Sequence, residues 1–408
     1  MVKKDFYHQF ATNHRVKMTI HNEKFYQFCR QVKNGYFCNM AALYFHIPFC
    51  KKLCGYCDFL RSVKVQLLPQ VVECMHRELE EQSGFLTERE LKTIYFGGGT
   101  PSLLHPSEIE RFIEHAKALF DSSAVEEITV EVNPDDITEQ YADALKQTSV
   151  NRISMGIQSL DDGCLQFMGR RHSAEQAVKA VKLLQSRGFD NISVDIIFGV
   201  NNFGGSSLTK TLQEIVSLDV QHISAYHLTI EPTTQFGRLL KRGAISQVSE
   251  ECSEEEFCAV HQHLTEAGFE HYEVSNFAKA GYRSRHNSSY WTGSEYLGIG
   301  PGAHSFNGKV RRWCEQRVEE YCRGILYGSE TLTTTDSLNE YIMVSLRRIE
   351  GIDLLTIAQR WGEGEARRIE RAAQSFIASG KMVKNGSNIA IPANHFLVSD
   401  AIIEELFA

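Results

Sequence analysis

The chain has 408 residues, of which 42% are hydrophobic and 23% charged, and its formal net charge is −8. This length suits one large and one small domain, and the composition is that of an ordinary folded protein, which excludes a disordered or fibrous chain. The acidic balance argues against general nucleic-acid binding, and no apolar run approaches the ~18 residues that cross a bilayer, so any membrane contact is expected to be peripheral or through a partner.

Residues 1–39 are rich in Lys, His, Asn, Phe and Tyr, with only Asp5 and Glu23 acidic. They show no strand or helix period and lack the layout of a secretory signal. They are expected to be an N-terminal extension, disordered or lying upstream of a natural start at Met40. With eleven cysteines in the chain and no secretory signal, the thiols are expected to be reduced and the protein cytoplasmic.

From residue 43 onward, strand-like and helix-like runs alternate. Strands are expected at 43–47, 93–96, 127–132, 152–157, 192–197 and 222–228, and helices at 66–82, 106–120, 138–147, 174–187 and 206–218. Such alternation predicts an α/β fold with a parallel sheet of βαβ units. Six units predict a partial (βα)6 barrel over 40–235, with its chemistry gathered at the carboxyl ends of the strands.

The first strand leads into LYFHIPFCKKLCGYCDF, which holds Cys50, Cys54 and Cys57 within eight residues. Three thiolates do not complete a tetrahedral zinc site, Cys74 does not continue the pattern, and no CxxC pair lies downstream. They suit a [4Fe–4S] cubane with one iron left open to a cofactor. The C-x3-C-x2-C spacing resembles that of radical S-adenosylmethionine (SAM) proteins.

GGGTP (Gly97 to Pro101) follows the second strand, and its glycines allow close backbone approach to the polar end of a ligand. Glu131 on the third strand, Gln158 after the fourth, Arg170 twelve residues later and Asp195 on the fifth are further inward-facing candidates. Each alone reads as an ordinary polar residue; together they recur at successive strand ends. Downstream, HNSSYW brings His286 close to Tyr290 and Trp291. An axial imidazole with two flat rings suits haem, and a turn histidine beside a core aromatic pair fits the same pattern. His304 in GIGPGAHSF is a weaker candidate, as are His227 and His271.

Residues 236–335 are of mixed α and β character. Over 336–408 the pattern is helical, with a helix pair at 354–361 and 365–379. The following GKMVKNGSNIAIP has an Asn-Gly turn between apolar runs, as in the wing of a winged-helix module. The second helix mixes Glu363, Glu365 and Glu370 with Arg367, Arg368 and Arg371. That is a poor footprint for phosphates, so the winged-helix-like module is read as structural rather than DNA-binding.

Together LYFHIPFC, CGYCDF, YFGGGTPSLL, EVNP, NRISMGIQSL, MGRRH, VDIIFG, LTIEPTT, HYEVSNFA, HNSSYW and GIGPGAHSF resemble the HemW-type haem chaperones of the radical SAM superfamily. These are relatives of the oxygen-independent coproporphyrinogen III oxidases. The resemblance spans residues 43–408 and is densest before 306. It implies that Cys50, Cys54 and Cys57 ligate the cluster and that Tyr44, Gly98 and Glu131 line a SAM site. Tyr56, Gly99, Thr100, Gln158, Arg170 and Asp195 match positions that hold a second SAM in the oxidases. His286 matches the motif implicated in haem binding, within a haem-binding region at 236–335. The oxidases carry a fourth cysteine two residues after the third, where this chain has Phe59, and they lack HNSSYW. Both differences favour the chaperone over the alternative, a coproporphyrinogen III dehydrogenase; a radical methylase using two SAM molecules is a more distant third reading. The partners implied are haem, apo-haemoproteins such as respiratory haem enzymes, and a second copy in a homodimer, with no nucleic acid.

Overall fold

The strand β1 (Ala41–Ile47) is buried at every position except the half-buried Tyr44, the pattern of a strand covered on both faces. It begins the described part of the computed structural model, residues 41–408, so the expectation for 1–39 lies outside the described residues. The chain continues through α1 (Leu68–Gln82), β2 (Leu91–Gly98), α2 (Pro106–Leu119), β3 (Glu127–Val132), α3 (Glu139–Lys146) and β4 (Arg152–Gln158). Two helices follow, α4 (Asp162–Met168) and α5 (Ala174–Ser186), then β5 (Ile192–Phe198), α6 (Ser206–Ser217) and β6 (His222–His227). Pro69 sits in the first turn of α1, where a missing N–H costs nothing, and a short 3-10 turn at Val65–Leu67 leads into it.

Strands β1 to β6 lie side by side in chain order, and all five pairings are parallel. The crossover helices bury one apolar face each. Helix α1 buries Val71, Val72, Met75 and Leu79, and α2 buries Ile109, Phe112, Ile113 and Ala116. Such i, i+3, i+4 spacing is what binds a helix to a sheet face. Helix α4 is an extra short element; its Cys164, Leu165 and Met168 pack with Val200, and Tyr56 lies against them.

The next stretch comprises α7 (Gln235–Lys241), α8 (Glu250–Glu266), β7 (Glu270–Glu273), β8 (Asn276–Ala278), α9 (Arg285–Trp291), β9 (Glu295–Ile299), β10 (His304–Phe306), β11 (Val310–Cys314), α10 (Val318–Tyr321) and β12 (Tyr327–Thr331). Residues 236–335 do not stand apart as a region of their own. Strand β8 pairs antiparallel with β6 at one end of the sheet, and β9 pairs parallel with β1 at the other. The result is one 12-stranded sheet, β12-β11-β10-β9-β1-β2-β3-β4-β5-β6-β8-β7. The additions were hard to foresee because β7, β8 and β10 are only three or four residues long, too short to show a period.

One unit spans Ala41–Thr333, and a second begins at Thr334. The second holds α11 (Thr334–Leu346), β13 (Ile352–Asp353), α12 (Leu354–Trp361), α13 (Glu363–Ala378), β14 (Val383–Asn385), β15 (Asn388–Ala390) and α14 (Ser399–Glu404). Asp353 caps α12 by accepting from the N–H groups of Leu355 and Thr356. The three short strands form a separate antiparallel sheet, and Gly386 takes a φ of 62° in the β14–β15 turn. On α13, Arg367 and Arg368 pair with that helix's own Glu363 and Glu365. Among the described residues, no helix is long and apolar enough to cross a membrane.

Candidate functional site: a thiol-lined cavity at the strand ends

Strands β2, β4 and β6 end on Gly98, Gln158 and His227, β3 and β5 present Glu131 and Asp195 before their ends, and the loop after β1 closes over this end of the sheet. That loop is fixed at two points. At its base Cys50 N–H donates to Ser62 O (3.0 Å) and Ser62 N–H donates to Pro48 O (2.7 Å). At its tip Gly55 N–H donates to Met168 O (3.0 Å), and Phe236 N–H donates to Gly55 O (2.8 Å). A side chain at position 55 would strike the Phe236 ring, so glycine is required there. The loop is thereby clamped between α4 and α7.

Cys50, Cys54 and Cys57 all line a cavity of about 390 Å³. It is also lined by Tyr56, Gly98, Gly99, Thr100, Glu131, Gln158, Arg170 and Asp195, all expected site residues. Tyr44 is not among the lining residues; its hydroxyl bonds His46 Nδ1 (3.1 Å), and its ring stacks on Tyr95. The thiols are free and partly exposed. Among the described residues no three His, Cys, Asp or Glu side chains converge as they would on one ion. The Cys50 and Cys57 thiols are pushed up, chiefly by burial. Polar groups attend the sulfurs: Thr100 Oγ1 lies 3.5 Å from Cys50 Sγ, and Arg170 Nη1 lies 3.6 Å from Cys54 Sγ. Two further buried nitrogens, Arg61 Nε and Arg170 Nε, have no partner. A site with cationic donors left over is built to receive negative charge.

The glycine run is needed for close approach. A Cβ on Gly99 would lie 2.6 Å from Phe49 O and 2.8 Å from Ile47 O, because Gly99 N–H itself donates to Ile47 O. Gly98 has a φ of 106°, and a Cβ there would run into the His46 ring. Its N–H donates to Glu131 Oε2 (3.1 Å), while Tyr95 Oη donates to Glu131 Oε1 (2.8 Å). Burial, then the nearby Asp195 carboxylate, raise Glu131 to about 7. Burial likewise raises Asp195 to about 6. Arg170 Nη2 donates to Asn133 Oδ1 and Gly156 O, both at 2.7 Å. Gln158 takes a φ of 69°, and the β4–β5 register shifts between Gly156 and Gln158. A non-glycine residue in the left-handed region at a site marks strain held by its surroundings.

Arg61, Ser154 and Tyr226 line the cavity without having been expected as site residues. Ser154 was recoverable, since alternation along β4 puts Ser154, Gly156 and Gln158 on one face. Arg61 lies four residues past Cys57 with no motif around it, and no signal marked it.

The HNSSYW residues form a different environment. Helix α9 is capped by Ser284, and the buried Glu127 carboxylate accepts from the backbone N–H groups of Arg285 and His286, both at 2.9 Å. His286 is 1% exposed. Its Nδ1 bonds Thr93 Oγ1 (2.8 Å) and its Nε2 bonds Tyr290 Oη (2.9 Å), so both ring nitrogens are engaged. The ring stacks on Tyr95 with centroids 4.8 Å apart, and burial lowers the imidazole to about 3. Trp291 Nε1 is buried without a partner. His304 is exposed on β10, with its ring over Trp313 at 6.0 Å.

The Radical SAM superfamily model matches residues 44–215. The chain is 32% identical over 331 residues to a protein of Bacillus subtilis named "Heme chaperone HemW", covering 79% of this chain and 87% of that one. It is 33% identical to the protein of that name in Escherichia coli K12, covering 76% and 83%. It is 36% identical to "Radical S-adenosyl methionine domain-containing protein 1, mitochondrial" of Danio rerio, covering 76% and 74%. The solved structure of the Escherichia coli coproporphyrinogen III oxidase HemN, described as a radical SAM enzyme, superposes with a TM-score of 0.78 at 21% identity, covering 91% of this chain and 90% of that one. That likeness concerns the fold.

Proposed function

The chain belongs to the HemW family within the radical SAM superfamily, and on that premise we propose that it is a haem chaperone, which binds haem and hands it to apo-haemoproteins such as respiratory haem enzymes. The observation that carries this reading is the match to proteins named as haem chaperones along most of their own length and most of this chain.

Cys50, Cys54 and Cys57 are read as ligands of a [4Fe–4S] cluster and the remaining cavity as a SAM site. The residues fit such a pair. Free thiols, two buried guanidinium nitrogens without partners and a glycine wall meet at one cavity, as a charged cluster and a small charged cofactor require. When bound, the cluster and SAM would supply one-electron chemistry at the sulfonium. The chain's own contribution is positioning. Glu131 presents a carboxylate to an ammonium, Gly98 and Gly99 keep the wall bare, Arg170 holds Asn133 and the end of β4 in place, and Asp195 and Gln158 supply polar contacts opposite the thiols. Tyr44 acts from behind this wall through His46.

The alternative is an oxygen-independent coproporphyrinogen III dehydrogenase, for which the shared fold speaks. Against it stands Phe59, 65% exposed at the cavity rim, where the oxidases have a cysteine. The test is titration of the anaerobically reconstituted protein with hemin, followed by transfer to an apo-haem enzyme, beside an incubation with coproporphyrinogen III, SAM and reductant. A saturable Soret band and restored haem-enzyme activity are expected. Protoporphyrinogen formed at a catalytic rate would overturn the reading. A cytoplasmic setting, a homodimer, and a structural, winged-helix-like role for the unit from Thr334 onward belong to the same proposal.

A further inference from the structure

Outside the thiol cavity the described chain brings two further sulfurs together, Cys74 on α1 and Cys322 directly after α10. Gln70, Cys74 and Glu78 are spaced four residues apart on α1 and so form one stripe along that helix. The end of α10 touches this stripe on either side of Cys74. On one side Cys322 Sγ lies 3.6 Å from Gln70 O, the carbonyl that an α-helix pairs with the N–H of the residue four further on, here Cys74. On the other side Tyr321 Oη donates to the buried Glu78 carboxylate. Cys74 sits between the two contacts, and the Cys322 thiol hydrogen-bonds its sulfur.

The two sulfurs have different surroundings. Arg77 Nη2 donates to Cys74 Sγ (3.1 Å), so a cation stands beside the sulfur that would attack as thiolate. Cys322 is half-buried, where Cys74 is 4% exposed, so the approach to the pair is from the Cys322 side. Burial, then the Cys74 sulfur, push the Cys322 thiol up to about 12, which keeps it protonated as the donor of the pair. A nucleophile beside a guanidinium with a second thiol against it is the arrangement of a sulfur that is oxidised and then resolved. The pair also lies near the exit of the cysteine loop, since Glu319 of α10 pairs with Lys64, seven residues past Cys57, at 2.9 Å.

We propose that Cys74 and Cys322 form a reversible redox site, separate from the cofactor cavity, in which hydrogen peroxide oxidises Cys74 and Cys322 resolves it to a disulfide that fastens α10 to α1. The Cys74 thiolate attacks one peroxide oxygen and the O–O bond breaks. Sulfur is oxidised to a sulfenic acid, and the departing hydroxide leaves as water with the proton that the thiol gave up. The Cys322 sulfur then attacks the sulfenic sulfur, the S–O bond breaks, and a second water carries away the Cys322 proton. Two thiols and one peroxide give one disulfide and two waters.

The experiment treats the full-length reconstituted wild-type protein, Cys322→Ser and Arg77→Leu with hydrogen peroxide over a range of concentrations. Remaining thiols are blocked with iodoacetamide and the unreduced digest is read by mass spectrometry, with far-UV circular dichroism as the check on folding. Wild-type protein should yield a peptide linked through Cys74 and Cys322 that dithiothreitol separates. Cys322→Ser should yield no such link and should instead carry a sulfenic acid on Cys74 that dimedone traps. Arg77→Leu should form the link about tenfold more slowly, the loss of one charge-assisted hydrogen bond to the attacking sulfur. Folded wild-type protein in which Cys74 and Cys322 stay open to alkylation while the cavity thiols oxidise overturns the assignment, as does a link from Cys322 to any other cysteine. Arg77→Leu linked at the wild-type rate overturns the order of attack.

Discussion

Single atoms decide much of this site. Gly99 has backbone oxygens at 2.6 and 2.8 Å from where a Cβ would sit, so Gly99→Ala must push β2 away from the cysteine loop. A cost of about 1–3 kcal/mol is expected, read as a lower urea midpoint, and reconstituted protein should hold less iron. An unchanged midpoint and full iron content would show that the loop is loose rather than clamped. The thiols give a sharper contrast. Cys50→Ala, Cys54→Ala and Cys57→Ala should each abolish the brown chromophore after anaerobic reconstitution, while Cys74→Ala, a buried residue of α1, should retain it. Retention of full iron and sulfide by any of the first three would remove that residue from the ligand set. Glu131 and Asp195 add a pH dependence. Both folded-state values lie above the ordinary carboxyl range, so the folded protein holds protons there that the unfolded chain has released. Stability from this source is greatest at low pH and falls as pH rises toward about 7. In the ligand-free protein, Glu131→Gln should flatten the decline of Tm between about pH 5 and 7; an unaltered slope would show that Glu131 is not raised.

At the scale of elements, the short helix α9 is tied to the sheet by Glu127 at its start and His286 within it. Glu127→Ala leaves two backbone N–H groups unpaired in a buried place, since the carboxylate that accepted them is gone. A loss of about 2 kcal/mol or more is expected, measured by urea unfolding; a loss within about 0.5 kcal/mol would mean that water replaces the carboxylate. This packing explains why HNSSYW was legible as a feature and not as an environment. The spacing of His286, Tyr290 and Trp291 is visible in sequence, but Thr93 and Glu127, which turn the histidine into a packed hydrogen-bonding residue, lie more than 150 positions away. The same limit hid Trp313, which meets His304 only because β10 and β11 pair. By contrast the cysteine loop, GGGTP, Glu131, Gln158 and Asp195 were legible because each lies on or just after one of the parallel strands, where local sequence and parallel topology together place the residue.

For the whole molecule, the six parallel strands were readable from the alternation of apolar runs, and the sheet is wider than that because the stretch after α7 adds strands at both ends. That widening pairs β9 with β1, whose following loop carries the cysteines, and pairs β10 with β9. The central claim is that this protein carries haem rather than remaking a porphyrin. The measurement that tests it most directly loads the anaerobically reconstituted protein with hemin, removes unbound hemin, and follows the activity of an added apo-haem enzyme. The account predicts that the Soret band leaves this protein as the recipient's activity appears. Hemin that fails to bind, or that stays bound while the recipient remains inactive, would contradict it.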